Sequence, residues 1–220
     1  DVGGNVPGNY NPVATESFQE GFMMPPVKLF ERDRMRQDIV DIMLANTRLP
    51  VSLYGDLNGQ INALDLGVMR LVELLDEYGD TTVHGAMEEL KQRAATLMRA
   101  HIAELPDGVY RAEDWLDNDG IVDKPLPVHL ALTVKGSDMH LDFTGTSPAA
   151  VGPLNMADTT TRSLSCVALK HLFPDVPVNG GTFRPIHFEI PKGCMLAAQY
   201  PSPVCGYTDV INRVVDVVFG

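Results

Sequence analysis

The sequence predicts an α+β fold in which long antiparallel helices are followed by a β-hairpin and a mixed sheet. Three observations support this fold class. Apolar side chains recur at helical spacing between residues 33 and 105, apolar and polar side chains alternate between residues 128 and 143, and a Pro-Asp-Gly turn at residues 106–108 separates the two patterns. We therefore divide the chain into a glycine-rich segment with a helical region, residues 1–105, and a β-rich α+β region, residues 106–220.

Three helices are predicted in the first region, after a start that is rich in glycine and proline. The first helix covers residues 33–47. The second begins near Asp56, which could cap it, and ends at Gly79. Its apolar stripe, which should face the core, consists of Leu64, Val68, Leu71, Leu75 and Tyr78. The third runs from residue 81 towards residue 106, and the short link between the two long helices favours antiparallel packing.

The second region is predicted to combine strands with further helices. Residues 128–134 and 139–143 alternate like half-buried strands, and a Lys-Gly-Ser turn joins them into a hairpin. His129 and His140 could face each other across this hairpin, either as polar packing or as metal ligands. Residues 163–173 have helical spacing, residues 183–190 alternate like a strand, and valines at 210, 214, 217 and 218 form the apolar face of a last helix.

The composition excludes several classes of function. With 45% apolar and 21% charged residues, the chain is globular, and its net charge of −12 argues against binding nucleic acid through clustered lysine and arginine. No apolar run reaches the roughly 18–20 residues that a membrane-spanning helix requires. The three cysteines lack the paired spacing of a disulfide framework or a zinc site, which favours a soluble protein of the reducing cytoplasm.

General motifs of catalysis and ligand binding are absent from the sequence. Neither GxxxxGK[ST] nor a strand-linked GxGxxG occurs, so no loop for ATP phosphates is expected, and HExxH, paired CxxC and GxSxG are missing too. Residues 117–120, Asp-Asn-Asp-Gly, begin like a calcium loop, but its twelfth position is Val128 and not glutamate. We therefore interpret them as a solvated turn.

Five residues are candidates for roles in catalysis or substrate binding. Asp56 lies in a Gly-Asp-Leu-Asn-Gly segment, where it could cap the helix or direct a carboxylate at a ligand. Glu16 could serve as an acid or base, and Arg48 could orient an anion or complement a helix C-terminus. Gly3 and Gly4 could let the backbone approach a substrate closely.

Several short blocks, in the same order along the chain, resemble those of hydantoinase B/oxoprolinase proteins. These blocks are Asp1-Val2-Gly3-Gly4, Thr15-Glu16, Gln19-Glu20-Gly21, Asn46-Thr47-Arg48-Leu49-Pro50, Gly55-Asp56-Leu57, Leu105-Pro106-Asp107-Gly108, Asp142-Phe143-Thr144-Gly145-Thr146-Ser147 and Asn179-Gly180-Gly181-Thr182-Phe183-Arg184-Pro185. The chain starts within one block and ends in an apolar helix, so we expect an internal piece that needs the remaining parts of its own subunit.

The resemblance implies one half of a two-component enzyme. An A-type partner subunit with an actin/Hsp70-like kinase fold uses ATP and Mg to phosphorylate a carbonyl, and the B-type component completes the opening of a cyclic amide such as a hydantoin or 5-oxoproline. Related enzymes carboxylate ketones such as acetone and acetophenone. A non-catalytic scaffold segment is the alternative from another class.

The resemblance also implies a divalent metal, zinc or manganese, bound mostly by His and Asp residues in blocks upstream of this chain. Asp1 is the one candidate ligand here.

Overall fold

The computed structural model describes residues 2–220 and confirms the α+β fold class. The elements, in chain order, are β1 (Phe30–Glu31), β2 (Arg34–Met35), α1 (Gln37–Ala45), α2 (Pro50–Tyr78), α3 (Asp80–Ile102), β3 (Gly108–Leu116), β4 (Leu126–Lys135), β5 (Asp138–Asp142), α4 (Asp158–Leu172), β6 (Ile186–Glu189) and α5 (Tyr207–Phe219). Short 3-10 turns occur at Ser17–Gln19 and Met195–Ala197.

A mixed sheet with the strand order β3-β4-β5-β6 organises the second half of the chain. The predicted hairpin is confirmed as β4 and β5, which pair antiparallel with Leu132 opposite Leu141. Strand β6 adds parallel to β5. Strand β3 was not predicted, because none of its residues is buried and its sequence therefore lacks a clear alternation of apolar and polar side chains.

The hydrophobic core lies between this sheet and helices α4 and α5. Alternate residues of β4 and β5, such as Val128 and Leu141, are fully buried, and so are Val210 and Val214 of α5. The C-terminal part of α3 joins the same core through Met98 and others. The change from helical to β-rich structure thus falls between α3 and β3, while a division into two domains stays a prediction.

Helix α2 begins earlier than the sequence indicated. It starts at Pro50, which occupies the first turn, where the absence of an N–H group costs nothing. Asp56 therefore lies within the second turn, and the prediction that it caps the helix is wrong. Gly79, with a φ of 80°, joins α2 directly to α3 and adopts a left-handed conformation that glycine tolerates best.

The apolar stripe of α2 does not lie in the core, so that prediction is wrong as well. None of the helix's residues is buried, and Leu64 and Val68 are 70% and 63% exposed. Although α2 contacts α1 and α3, no element of residues 2–220 covers its stripe. Periodicity identifies the apolar face of a helix, but it does not show what packs on that face.

The two hairpin histidines do not face each other. His129 is aligned with Glu113 of β3, with 3.5 Å between its Nδ1 and the carboxylate Oε2, whereas His140 is aligned with Thr133 on one side and His187 on the other. The register of the hairpin places the two rings at different levels along the strands, so the predicted pair is wrong.

The turn at residues 117–120 is not simply solvated, because Asp119 is only 2% exposed. Its Oδ1 accepts hydrogen bonds from the N–H groups of Ile121 (2.9 Å) and Val122 (2.6 Å), and its Oδ2 accepts one from Gly152 (2.9 Å). Burial alone would raise the pKa of this carboxyl, but these backbone donors lower it below its usual value. Asp119 thus joins the loop at residues 119–122 to the loop that contains Gly152.

The Asn-Gly-Gly-Thr-Phe-Arg-Pro block at 179–185 holds a loop against α3. A Cβ on Gly181 would lie 1.8 Å from the carbonyl oxygen of Lys91, so the two backbones touch. Asn179 donates to the carbonyl of Leu90 (3.3 Å), and Arg184 forms an ion pair with Glu88 (2.6 Å). In this chain the block therefore serves packing.

Candidate functional site

The glycine-rich segment near the start of the chain runs beside residues 19–22. The N–H of Asn5 donates to the carbonyl of Gln19 (2.9 Å), and the N–H of Phe22 donates to the carbonyl of Val2 (2.7 Å). These two backbone hydrogen bonds join two segments that are otherwise irregular, and they fix the edges of a shallow site.

Asn9 locks this arrangement with its side chain. Its Nδ2 donates to the carbonyls of Gly3 (2.6 Å) and Glu20 (2.9 Å), while its Oδ1 accepts a hydrogen bond from the N–H of Val2 (2.9 Å). Asn9 itself has a φ of 65°, a left-handed conformation that asparagine adopts more readily than most residues. The side-chain amide of Asn9 therefore supplies hydrogen bonds that hold these segments together where regular secondary structure is absent.

Both predicted substrate-binding glycines make close contacts with this chain's own backbone. A Cβ on Gly3 would lie 2.6 Å from the carbonyl oxygen of Asn46, and a Cβ on Gly4 would lie 2.8 Å from the carbonyl carbon of Glu20. Their φ angles of 89° and 92° also disfavour a side chain. The glycines are thus required for the segment to pack, and their contact with a substrate stays a prediction.

Arg48 connects the loop between α1 and α2 to the same segment. Its Nη2 donates to the carbonyl of Gly4 (2.9 Å) and its Nη1 to the carbonyl of Val6 (3.3 Å). The structure therefore brings Arg48 together with Gly3 and Gly4, as residues of one site should be. The guanidinium here supports the backbone, so a role in orienting an anion remains a prediction.

A cleft of about 420 Å³ lies between these segments, a size within the usual range of small-molecule sites. Phe18, Phe22 and Met23 supply its apolar lining, Asn5 and Asn46 supply polar side chains, and three glycines supply bare backbone. None of these lining residues is charged. The cleft can therefore hold a small, largely uncharged molecule against backbone groups.

A second cleft, of about 630 Å³, lies at the β1–β2 turn and is lined by Glu31, Arg32, Arg34, Met35 and Arg36. None of the predicted site residues lines it, so the cleft at the glycine-rich segment is the better candidate site.

The other two predicted catalytic residues, Glu16 and Asp56, do not line the cleft at the glycine-rich segment. Glu16 is exposed and precedes the turn Ser17–Gln19, where the side chain of Gln19 accepts hydrogen bonds from the N–H groups of Thr15 (2.7 Å) and Glu16 (3.4 Å). Asp56 is exposed on α2. Within residues 2–220, no hydrogen bond or ion pair joins Asp56 to the glycine-rich segment.

Sequence reasoning missed the contact between this segment and the loop before α5. The carboxylate of Glu20 accepts hydrogen bonds from the N–H groups of Val204 (2.6 Å) and Cys205 (2.7 Å). The Cys205 thiol donates to the carbonyl of Asn11 (3.3 Å), and burial raises the pKa of this thiol. Because these partners are more than 180 residues apart in sequence, no local pattern could have identified them.

A metal site cannot be assembled from the part of the chain that the structure describes. Residues 2–220 contain no group of three His, Cys, Asp or Glu side chains placed to share an ion. The predicted ligand Asp1 lies outside the described residues.

Within residues 2–220, no helix is both long enough and apolar enough to cross a lipid bilayer.

The chain is similar to proteins named as components of a caprolactamase and of a putative hydantoinase. It is 35% identical over 207 residues to the beta chain of the caprolactamase of Pseudomonas jessenii, covering 92% of this chain and 35% of that protein. It is 32% identical over 231 residues to the B component of a putative D-/L-hydantoinase of Pseudomonas sp. (strain NS671), covering 99% of this chain and 39% of that protein.

The fold is shared with the crystal structure of the ATP-dependent caprolactamase from Pseudomonas jessenii. The TM-score is 0.91 at 32% sequence identity, over 99% of this chain and 38% of that one. This chain thus spans less than two fifths of the length of these relatives. A family model for hydantoinase B/oxoprolinase matches residues 1–220. Because the match extends over the whole chain and agrees with the order of the sequence blocks, the protein belongs to the hydantoinase B/oxoprolinase family.

Proposed function

We propose that this chain is part of the B-type component of an ATP-dependent cyclic amide hydrolase. The observation that carries the proposal is the glycine-rich cleft, to which the family's sequence blocks contribute Gly3, Gly4, Gly21 and Asn46, on a fold shared with a caprolactamase. The similarity to proteins named as components of a hydantoinase and a caprolactamase supports the same reaction class.

The reaction begins on an A-type partner, which uses ATP and Mg to phosphorylate the carbonyl oxygen of the ring. Phosphorylation makes the ring carbon electrophilic enough for water to add. A carboxylate, Glu16 or Asp56, takes a proton from that water, and the ring nitrogen accepts a proton as the C–N bond breaks. A second water then cleaves the resulting acyl phosphate, which releases inorganic phosphate and the free carboxylate of the opened ring. Arg48 keeps the glycine-rich wall in place, and Phe18, Phe22 and Met23 offer apolar surface to the ring of the substrate.

The proposal also covers the partner subunits, the cellular compartment and the metal ion. We place the protein in a cytoplasmic hetero-oligomer that contains the A-type subunit and the remaining parts of its own subunit. The expected zinc or manganese ion also stays a proposal, since residues 2–220 supply no ligand cluster, and no step above depends on it.

Substitution of Asp56 tests the proposal in the complete subunit with its partner. Asp56→Asn should lower turnover of a cyclic amide by about 10²-fold, the lower end of a general acid/base contribution. Asp65→Asn is a matched control, because Asp65 is also exposed on α2. Neither change should alter the melting temperature, since neither residue caps the helix. Equal turnover of the two variants would show that Asp56 has no part in the chemistry.

The products distinguish the proposal from its rivals. Ring-opened product and phosphate, formed only when ATP, the partner and a cyclic amide are all present, support the hydrolase. Bicarbonate-dependent formation of a carboxylated ketone would instead support a carboxylase. Tight binding of the partner without turnover of either substrate class would indicate a scaffold.

A further inference from the structure

We infer that helix α2 pairs in parallel with α2 of a second copy of this chain. The contact is a coiled-coil seam of apolar residues along one face of the helix. These seam residues are Tyr54, Leu57, Ile61, Leu64, Val68, Leu71, Leu75 and Tyr78. They follow one another in alternating steps of three and four, which average about 3.5 residues, the period at which two helices keep their apolar faces together. The proposed function does not depend on this dimer.

Helix α2 needs a partner, because little of residues 2–220 packs against it. The helix has 29 residues and is therefore about 43 Å long at about 1.5 Å per residue, yet none of its residues is buried. At its far end Leu71 and Tyr78 are still 41% and 54% exposed. A Cβ added to Gly55, Gly59 or Gly67 would meet nothing within 4 Å. Glycines weaken an isolated helix, and an apolar face of this length is unfavourable in water until another surface covers it.

The side chains of the seam favour two parallel helices. Written as heptads abcdefg, the seam has Tyr54, Ile61, Val68 and Leu75 at position a, and Leu57, Leu64, Leu71 and Tyr78 at position d. The two central a residues, Ile61 and Val68, are β-branched, whereas three of the four d residues are leucine. β-Branched side chains at a together with leucine at d favour two parallel helices over larger bundles. The seam therefore specifies both the number of helices and their direction.

The residues that flank the seam do not repel a second copy. In a parallel pair, position g of one helix lies near position e of the next heptad in the other helix. This arrangement brings Gln60 near Asp65 and Gly67 near Val72. No two like charges meet there, although the chain as a whole carries a net charge of −12. The amide of Gln60 can instead donate a hydrogen bond to the carboxylate of Asp65.

The charged side chains of α2 lie almost entirely away from the seam. Positions b, c and f, which face away from a partner, hold five of its six charged residues, namely Asp56, Arg70, Glu73, Asp76 and Glu77. Arg70 and Glu73 form an ion pair with each other there, with 2.8 Å between Nη1 and Oε2. A strongly charged partner therefore finds no charge beside the seam except that of Asp65. A second copy carries the same seam, and a contact between identical surfaces closes into a dimer.

Cysteine cross-linking in the complete subunit tests the inference. In a parallel pair in register, residue 64 of one helix lies beside residue 64 of the other, within the Cα separation of about 7 Å that a disulfide allows. Under mild oxidation, Leu64→Cys should therefore give at least about tenfold more covalent dimer than Leu66→Cys. Leu66 is the matched control, because it is 52% exposed on α2 but lies at the outward position f. The natural protein, oxidised in the same way, gives the background from its three free cysteines.

Equal amounts of covalent dimer from the two variants would overturn the inference. In that case the seam faces another part of the subunit, the A-type partner or an antiparallel copy, since none of these brings the two residues 64 together. Disulfide formation at residue 64 alone supports the parallel dimer.

Sedimentation of the complete subunit without its partner provides a second measurement. Leu64→Asp should raise the dissociation constant of the dimer by at least about 10²-fold, because it places two carboxylates in an apolar contact. Leu66→Asp should raise it by less than about threefold, since that side chain stays in water. Circular dichroism should show the same helical content for both variants, because both leucines are exposed in the single chain. A natural subunit that stays monomeric up to about 100 μM, or an equal effect of the two substitutions, would contradict the proposed dimer.

Discussion

Replacing Asp119 with asparagine should loosen the two loops that this carboxylate joins. The substitution keeps one acceptor oxygen, which can still serve Ile121 and Val122, but it directs an NH₂ group at the N–H of Gly152. Gly152 is buried, so its donor is left without an acceptor. An unsatisfied buried donor costs about 1–3 kcal/mol. Because a neutral amide oxygen also accepts weaker hydrogen bonds than a carboxylate, we expect the stability of the two loops to fall by about 2–4 kcal/mol in total.

Hydrogen–deuterium exchange of the intact protein measures this cost locally. A loss of about 2 kcal/mol corresponds to about 30-fold faster exchange, and we expect at least that at the amide of Gly152. Asp117→Asn is the control, because Asp117 is exposed in the same turn and its substitution should change little. Equal exchange rates in the two variants would refute this account of the loops.

The same contact predicts a dependence on pH. The fold lowers the pKa of Asp119, so its ionised form stabilises the protein above the unfolded pKa of about 3.9, and this contribution disappears as the pH falls through the folded value. The difference in melting temperature between the natural protein and Asp119→Asn should therefore shrink below about pH 4. A difference that stays constant down to about pH 2 would contradict this reasoning.

Other regions of the chain yield further predictions. Gly181→Ala should lower the melting temperature by several degrees, since its Cβ would overlap the backbone of α3, and Gly4→Ala should reduce turnover because it displaces one wall of the cleft. Leu64→Asp should reduce self-association and dye binding of the isolated chain, whereas Leu66→Asp, on another face of α2, should do so less. Burial raises the pKa of Cys166 to about 11, so its alkylation rate should keep rising up to that pH, and a plateau near about pH 9 would contradict this assignment.

Part of the candidate site could be predicted from the sequence. Gly3, Gly4 and Arg48 were identified because a glycine pair and an arginine within a short family block are recognisable locally, and the structure brings them together. Phe18 and Met23 were not identified, because an apolar residue in a loop looks like ordinary packing until the cleft beside it is known. Asp56 was found from its glycine neighbours, but the start of its helix was misplaced because a proline such as Pro50 can mark either the end of one helix or the first turn of the next.

The secondary structure of the main elements and the family follow from the sequence alone. Helical periodicity, strand alternation and the order of short blocks are properties of neighbouring residues, so they can be read without coordinates. Tertiary contacts were needed to show that the stripe of α2 is exposed, that Asp119 is buried, and that Glu20 binds the loop at Cys205. Each of these depends on residues that are far apart in sequence, and the burial of a side chain is set by what packs against it, which no local pattern specifies.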